Sequence, residues 1–199
     1  ILFTALSQKL MYRVVMKIEL LLIMSLFVTS EVGAAPIAKK EILLTSFDTQ
    51  SADLAWRVVN DDVMGGRSSS DFNLADGSLT FSGVTNTNGG GFASIRTGLT
   101  EFGLAGFNHL TLRVRTDGRT YTLLLRPQNQ RISYRMDFTA AVGQWQEVVL
   151  PLEMFQASWR GRKLNEPPID PANIAQLGIM ISDGRDGEFN IEIDWIKAR

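Results

Sequence analysis

The chain has 199 residues, with 20 basic and 21 acidic side chains, a formal net charge of -1 and a hydrophobic fraction of 45%. These values indicate one globular domain with enough apolar residues for a core, and they argue against nucleic acid as a partner, because phosphate binding needs a basic surface. The chain has no cysteine and one histidine, His109. This composition excludes disulfides and thiolate catalysis, and it argues against a multi-histidine zinc site or a serine-protease-like triad.

Residues 1–34 have the composition of an export signal. Met16-Lys17 begins a short positive region, an apolar run covers residues 18–28, and Val32-Gly33-Ala34 supplies the small residues of a signal-peptidase site. The run is short for a membrane span. The pattern therefore predicts a periplasmic or secreted protein with no stable transmembrane span after cleavage.

The same pattern predicts the boundaries of the rest of the chain. Residues 1–15 are interpreted as an extension upstream of the start, and cleavage is expected after Ala34. Retention of the segment as an amino-terminal anchor is the alternative. Residues 35–41 are predicted to be a linker and residues 42–199 a single domain, without repeats.

Short segments of strand character follow one another through that domain, many of them alternating apolar and polar residues. The predicted strands are 42–47, 56–59, 71–74, 78–82, 91–97, 109–116, 120–126, 132–138, 145–150 and 187–196. Asp76-Gly77 is a hairpin turn signal. Helix signals are confined to one turn at 151–155 and to 170–176, where Asp170 caps and Pro171 opens the segment. This pattern predicts an all-β fold, an antiparallel β-sandwich of the jelly-roll type.

Two glycine-rich segments, residues 60–68 and 88–96, flank the predicted hairpin. Their spacing does not fit a P-loop or a dinucleotide fingerprint, and the glycines are interpreted as tight backbone crossings. The candidate ligand residues in these loops are Asp61, Asp62, Arg67 and Arg96. In one hypothesis, the loops meet and present these charges to a ligand. In the other, the acids satisfy loop amides and the arginines pair with them.

A set of arginines is predicted on the polar faces of neighbouring strands. The set comprises Arg113, Arg115, Arg126 and Arg135, with Asp137, Glu192 and Asp194 opposite. On a concave jelly-roll face, such residues are typical of a sugar site; a solvated face with cross-strand charge pairs is the alternative. The alternation assigns Tyr121, Tyr134 and Trp195 to the apolar face, which argues against a sugar platform.

The segment from Gln156 to Lys163 is the candidate for a protein partner. It places Trp159 among Arg160, Arg162 and Lys163 in a glycine-containing loop, and Trp and Arg are enriched in interface hot spots. The alternative is that Trp159 folds back as a lid over the edge of the sandwich.

Carboxylates at 183, 186 and 188 suggest calcium, but their spacing differs from an EF-hand and a turn between strands explains them as well. His109 is interpreted as a rim residue. With no nucleophile and no positioned carboxylate pair, the sequence predicts neither an enzyme nor a cofactor or metal site.

Several motifs of the chain resemble one protein family. They are Trp56 followed by residues 60–68, then 81–83, 88–96, 159–162, 177–183 and 187–196. In this order they resemble the complex I (NADH:ubiquinone oxidoreductase) intermediate-associated protein 30 family. The resemblance implies a galactose-binding-like jelly roll and a non-enzymatic, chaperone-like role in complex I assembly, with a respiratory-complex subunit or assembly intermediate as partner. The alternative is a carbohydrate-binding module acting on envelope or extracellular glycans.

Overall fold

A computed structural model describes residues 40–199, which form thirteen strands and three short 3₁₀ turns. The strands are β1 Ile42–Thr45, β2 Arg57–Val58, β3 Ser69–Ala75, β4 Ser78–Thr85, β5 Ala93–Arg96, β6 His109–Thr116, β7 Tyr121–Pro127, β8 Ser133–Phe138, β9 Gln146–Pro151, β10 Gln156–Trp159, β11 Arg162–Lys163, β12 Ile174–Ile181 and β13 Gly187–Ala198. The 3₁₀ turns are Asp61–Met64, Leu152–Met154 and Pro171–Asn173. The predicted export signal and most of the predicted linker lie outside the described residues.

The strands form two sheets, and every strand pair is antiparallel. The six-stranded sheet has the order β3-β4-β13-β6-β9, with β1 also paired to β13. The seven-stranded sheet has the order β11-β10-β8-β7-β12-β5-β2. The predicted all-β antiparallel sandwich is therefore confirmed. Within residues 40–199 no helix has the length and apolar character needed to cross a membrane.

The core lies between the two sheets and is built from alternate residues of their strands. Leu112 of β6 and Leu123 of β7 are fully buried, as their period-two pattern predicts. Phe81 and Phe189 of the six-stranded sheet have ring centroids 4.9 Å apart, and Tyr121 of the seven-stranded sheet meets Phe189 edge-on at 6.5 Å. Because burying each such side chain contributes roughly 1.5–3 kcal/mol, this layer holds the sheets together.

A β-bulge in β13 overturns the predicted orientation of Trp195. The pairing with β6 shifts register between Ile193 and Trp195, so that Trp195 lies opposite Arg113. Directly opposite residues share a face of the sheet, and Trp195 therefore points outward with Arg113. Ile196, not Trp195, is the next buried residue after Ile193. Strict alternation cannot anticipate an extra residue within a strand.

Two further segments differ from the sequence prediction. Residues 174–176 begin strand β12 and do not continue the 3₁₀ turn that Asp170 caps through its bond from the Ala172 N–H. Every residue of β12 is buried, so the strand has no apolar–polar alternation to reveal it. The segment around Trp159 is a β-hairpin formed by β10 and β11, with Arg160 and Gly161 at φ values of 48° and 77°. These values match a tight two-residue turn, so the segment is not an irregular loop.

Candidate functional site

Asp61 joins the two glycine-rich loops. Its side chain has no exposed surface, and it accepts hydrogen bonds from Ser68 N at 2.9 Å and Ser68 Oγ at 2.6 Å. On the other loop, Gly91 N and Phe92 N donate to Asp61 Oδ2 at 2.6 and 3.2 Å. Burial alone would raise the pKa of Asp61, but these bonds from Ser68, Gly91 and Phe92 hold it below its ordinary value.

Two glycines make room for this carboxylate. A Cβ atom at Gly66 or at Gly90 would overlap the side chain of Asp61. Both positions have ordinary backbone angles, so the requirement for glycine comes from close approach and not from a positive φ. The glycine clusters therefore mark a tight crossing, as predicted, and the crossing is made around one buried acid.

The four candidate residues of these loops differ in exposure and in hydrogen bonding. Asp61 is withdrawn from solvent and already receives four hydrogen bonds, so it cannot present a charge to a ligand. Asp62 and Arg67 are exposed, whereas Arg96 is half-buried and donates from Nε to Ser94 Oγ at 3.3 Å. Within residues 40–199 neither arginine forms an ion pair, which corrects the expected pairing with Asp61 and Asp62.

Asp183, one of the calcium candidates, is bound by Arg119. Arg119 Nη2 and Nε donate to the two carboxylate oxygens of Asp183 at 2.6 and 3.0 Å, and both side chains are only 7% exposed. The guanidinium also donates to the carbonyls of Arg185, Gly187 and Glu188. Among the described residues, no group of His, Asp and Glu is placed to hold a metal ion. Arg119 was missed because nothing in its local sequence indicates burial.

The candidate arginines do not share one face. Arg113 and Arg115 lie on β6 of the six-stranded sheet, whereas Arg126 and Arg135 lie on β7 and β8 of the seven-stranded sheet. The expectation of a single polar face is therefore wrong, because the chain crosses from one sheet to the other between β6 and β7. The sandwich has two outer faces, each with its own arginines.

Charges on the outer six-stranded face are paired. Arg113 contacts Asp194, and Arg115 donates from Nε to Glu192 Oε1 at 2.9 Å. The guanidinium carbons of both arginines also lie over Trp145, at 5.2 and 5.0 Å from the ring centroid. This face therefore presents neutralised charge together with aromatic rings, Trp145 and the outward-facing Trp195.

The outer seven-stranded face is different, because its arginines exceed its acids. The register pairs Arg57 with Arg96, Arg96 with Gly178, Gly178 with Leu124, and Leu124 with Arg135, which places them in one row across the sheet. Arg126, two residues beyond Leu124, points to the same side. Of these four arginines, only Arg135 has an acidic partner among the described residues, Asp137 at 3.3 Å.

The β10–β11 hairpin extends this face at the edge of the sheet. Gln156 pairs with Arg135, and Ser158 pairs with Lys163, so Lys163 lies on the outer side with Arg135. Trp159 is 43% exposed and stacks on Arg160, whose guanidinium carbon is 4.9 Å from the ring centroid. Trp159 thus stands at the edge of the sheet without closing over it.

His109 begins β6, is half-buried and contacts the side chain of Asn108. The buried base-and-acid arrangement that general acid–base catalysis needs is not formed around it by the described residues.

Comparison with known proteins identifies the family. Residues 45–193 match the family model described as complex I intermediate-associated protein 30. The chain belongs to this family. The match to the complex I intermediate-associated protein 30 family covers nearly the whole sandwich, including both glycine loops and the β10–β11 hairpin.

Individual family members match segments of different lengths. "Complex I intermediate-associated protein 30, mitochondrial" of Mus musculus is 40% identical over 98 residues, covering 45% of this chain and 30% of the mouse protein. The protein of the same name from Drosophila melanogaster is 28% identical over 179 residues, covering 75% of this chain and 60% of the fly protein. The matched segments span less than two thirds of either relative.

These relatives also correct the predicted compartment. Both carry the word mitochondrial in their names, which is neither a periplasmic nor a secreted location. The prediction of an exported protein is therefore wrong. It rested on residues 1–34, whose apolar run and small residues were interpreted as a signal-peptidase substrate.

Solved structures confirm the fold of this family member. The family 11 carbohydrate-binding module from Clostridium thermocellum, in complex with a β-1,3-1,4-mixed-linked tetrasaccharide, has a TM-score of 0.59. It is 16% identical, and the alignment covers 79% of this chain and 94% of the module. At this identity the likeness establishes the jelly-roll sandwich and leaves the ligand to other evidence.

Proposed function

We propose that this chain is a non-enzymatic protein-binding domain that acts in complex I assembly. Its docking surface is the outer face of the seven-stranded sheet together with the β10–β11 hairpin, hereafter the basic face. The partner is a complex I subunit or assembly intermediate with an acidic surface. Family membership and the names of the relatives support the assembly role.

The charge difference between the two outer faces carries this proposal. On the six-stranded face, Arg113 and Arg115 are neutralised by Asp194 and Glu192 within the chain. On the basic face, Arg57, Arg96 and Arg126 have no acidic partner among the described residues. Because complementary charge steers association and fixes orientation, the unneutralised face suits an acidic partner.

The hairpin adds an exposed aromatic side chain, the second feature of the proposed interface. Trp159 offers a large, partly exposed ring that stacks on the guanidinium group of Arg160. Trp and Arg are the residue types that dominate interface hot spots. Trp159 pairs with Arg162 and therefore lies at the sheet edge on the side opposite Lys163, whereas Lys163, on the outer side, extends the positive charge of the sheet arginines to this edge.

A second candidate function, glycan binding, is favoured by the six-stranded face. The β13 bulge turns Trp195 outward, where Lys197 Nζ lies 4.5 Å from its ring centroid, and Trp145 lies beside Arg113 and Arg115. Aromatic rings beside polar groups are typical of ligand sites. The two candidates therefore use opposite faces, and one pair of variants separates them.

The test compares two double variants that each remove two positive charges. Arg135→Gln with Lys163→Gln changes the basic face, and Arg113→Gln with Arg115→Gln changes the six-stranded face. Each tagged protein is used to capture complex I subunits from solubilised membranes, quantified by mass spectrometry. We expect the first variant to recover about tenfold less, equivalent to about 1.4 kcal/mol, and the second to match the unsubstituted protein.

Equal recovery by both variants would contradict the basic face as the docking surface. Affinity electrophoresis of the same proteins in glycan-containing gels tests the second candidate. Retardation that only the six-stranded-face variant loses would support glycan binding there, and the absence of retardation in the unsubstituted protein would remove it.

A further inference from the structure

A hollow in the basic face is lined by two of its arginines. Its cavity volume is about 10 Å³, room for about one water molecule, it opens to solvent, and its lining includes Arg96, Arg126, Ser133 and Gln176. Gly178 lies between Arg96 and Leu124 in the cross-strand row, and the missing side chain leaves the space open. A Cβ at Gly178 would lie 3.1 Å from Arg96 Cγ and 3.0 Å from the carbonyl oxygen of Ile95.

One guanidinium group in this hollow has an unused donor. Arg126 Nε is buried and has no hydrogen-bond partner among the described residues. A buried polar group left without a partner costs about 1–3 kcal/mol, and a water molecule in the hollow would supply the missing acceptor. The Nε–H of arginine forms one side of the fork that binds carboxylate and phosphate groups.

Positive charge accumulates around this donor. Arg57 and Arg96 are directly paired across β2 and β5, and Gln176, the neighbour of Arg126 on β12, carries no charge to offset them. Burial lowers the pKa of Arg96, and the charges of Arg126 and Arg57 lower it further. Like charges placed side by side destabilise a sheet, and a bound anion would relieve that repulsion.

We infer that the mouth of this hollow is a binding site for a single oxyanion group, a phosphate or a carboxylate, held between the guanidinium groups of Arg96 and Arg126. Gln176 Nε2 donates to Thr97 O at 2.7 Å, which fixes the floor beneath the anion. The inference goes beyond the proposed function, because the site would bind its anion whether or not a protein docks on this face.

The test follows the arginine Nε–H signals of the full-length protein by NMR while inorganic phosphate is added. A hexaglutamate peptide is the second probe, and it distinguishes a carboxylate carried by a protein from a free anion. We expect a saturable shift of the Arg126 Nε–H signal with a Kd of about 1 mM or tighter at low salt for at least one probe. Arg126→Gln should weaken that binding about tenfold or more.

Arg113→Gln is the matched control, since it removes the same charge from the opposite face and should leave the Kd within about twofold. Arg96→Gln is the second variant, to be used if circular dichroism shows that Arg126→Gln does not fold. Saturable binding of phosphate would identify the ligand as a free anion. Saturable binding of the peptide alone would identify it as a carboxylate carried by a protein. Failure of both probes to saturate, or equal affinity in the Arg126, Arg96 and Arg113 variants, would overturn the site. Because no complex I subunit is present, the result is independent of the proposed partner.

Discussion

Replacing Arg119 by Met should lower the free energy of unfolding by about 3–5 kcal/mol, because it leaves the carboxylate of Asp183 buried without its cation. The two side chains are each 7% exposed, and Arg119 Nη2 lies 2.6 Å from Asp183 Oδ1. The same guanidinium donates to the carbonyl of Arg185 in the turn before β13 and to those of Gly187 and Glu188 at the start of β13. Urea denaturation measures the effect as a fall in the midpoint at constant slope.

Arg113→Met is the matched control for this prediction. It breaks an ion pair with Asp194 in which the arginine side chain is 43% exposed, and such pairs contribute at most about 1 kcal/mol. Adding Asp183→Leu to Arg119→Met should recover part of the loss, because no isolated charge then stays buried. A loss below about 1 kcal/mol for Arg119→Met would show that the buried pair does not brace this end of the sandwich.

Replacing Asp61 by Asn should cost about 3 kcal/mol, since an amide retains one acceptor oxygen and turns its NH₂ group towards backbone donors. Depending on which oxygen the NH₂ group replaces, either the bond from Ser68 N to Oδ1 or the bonds from Gly91 N and Phe92 N to Oδ2 would be lost, and each of these closes the crossing of the two glycine loops. Asp62→Asn, at the next position, changes an exposed carboxylate and should stay within about 0.5 kcal/mol. Equal effects at both positions would contradict the role assigned to Asp61.

The same carboxylate gives the stability a pH dependence. The pKa of Asp61 in the folded state lies below its ordinary value of 3.8, despite the burial that opposes this shift. The folded state therefore favours the ionised acid, and its contribution is complete above the unfolded pKa and is lost as the pH falls through the folded one. Denaturation midpoints should decrease below about pH 4. The Asn variant should show a shallower decrease in that range.

The features that sequence periodicity predicted correctly are those set by residues adjacent in the chain. The alternation around Leu112 and the Asp76-Gly77 turn, with φ values of 52° and 72°, both follow from local geometry. The orientation of Trp195 did not, because a bulge changes the phase of a strand without altering its composition. Strand β12 was missed because burial on both sides removes the alternation by which strands are recognised.

The set of residues that forms the basic face could not be predicted from the sequence, for a different reason. Arg57, Arg96 and Arg135 are far apart along the chain, and only the order of strands in the sheet places them in one row. Arg113 and Arg126 are close in sequence but lie on opposite faces of the sandwich. The residue types of the candidate sites could be recognised in the sequence, whereas their grouping required the register.

The most direct test of the docking surface is photo-crosslinking in intact cells from single positions on the two faces. A photoreactive amino acid replaces Lys163 on the basic face, and Val149, which is 52% exposed on the six-stranded sheet, is the control position. Crosslinked partners are identified by mass spectrometry. We expect crosslinks to complex I subunits from position 163 and none from position 149. Crosslinks to those subunits from position 149 alone, or from neither position, would contradict this expectation.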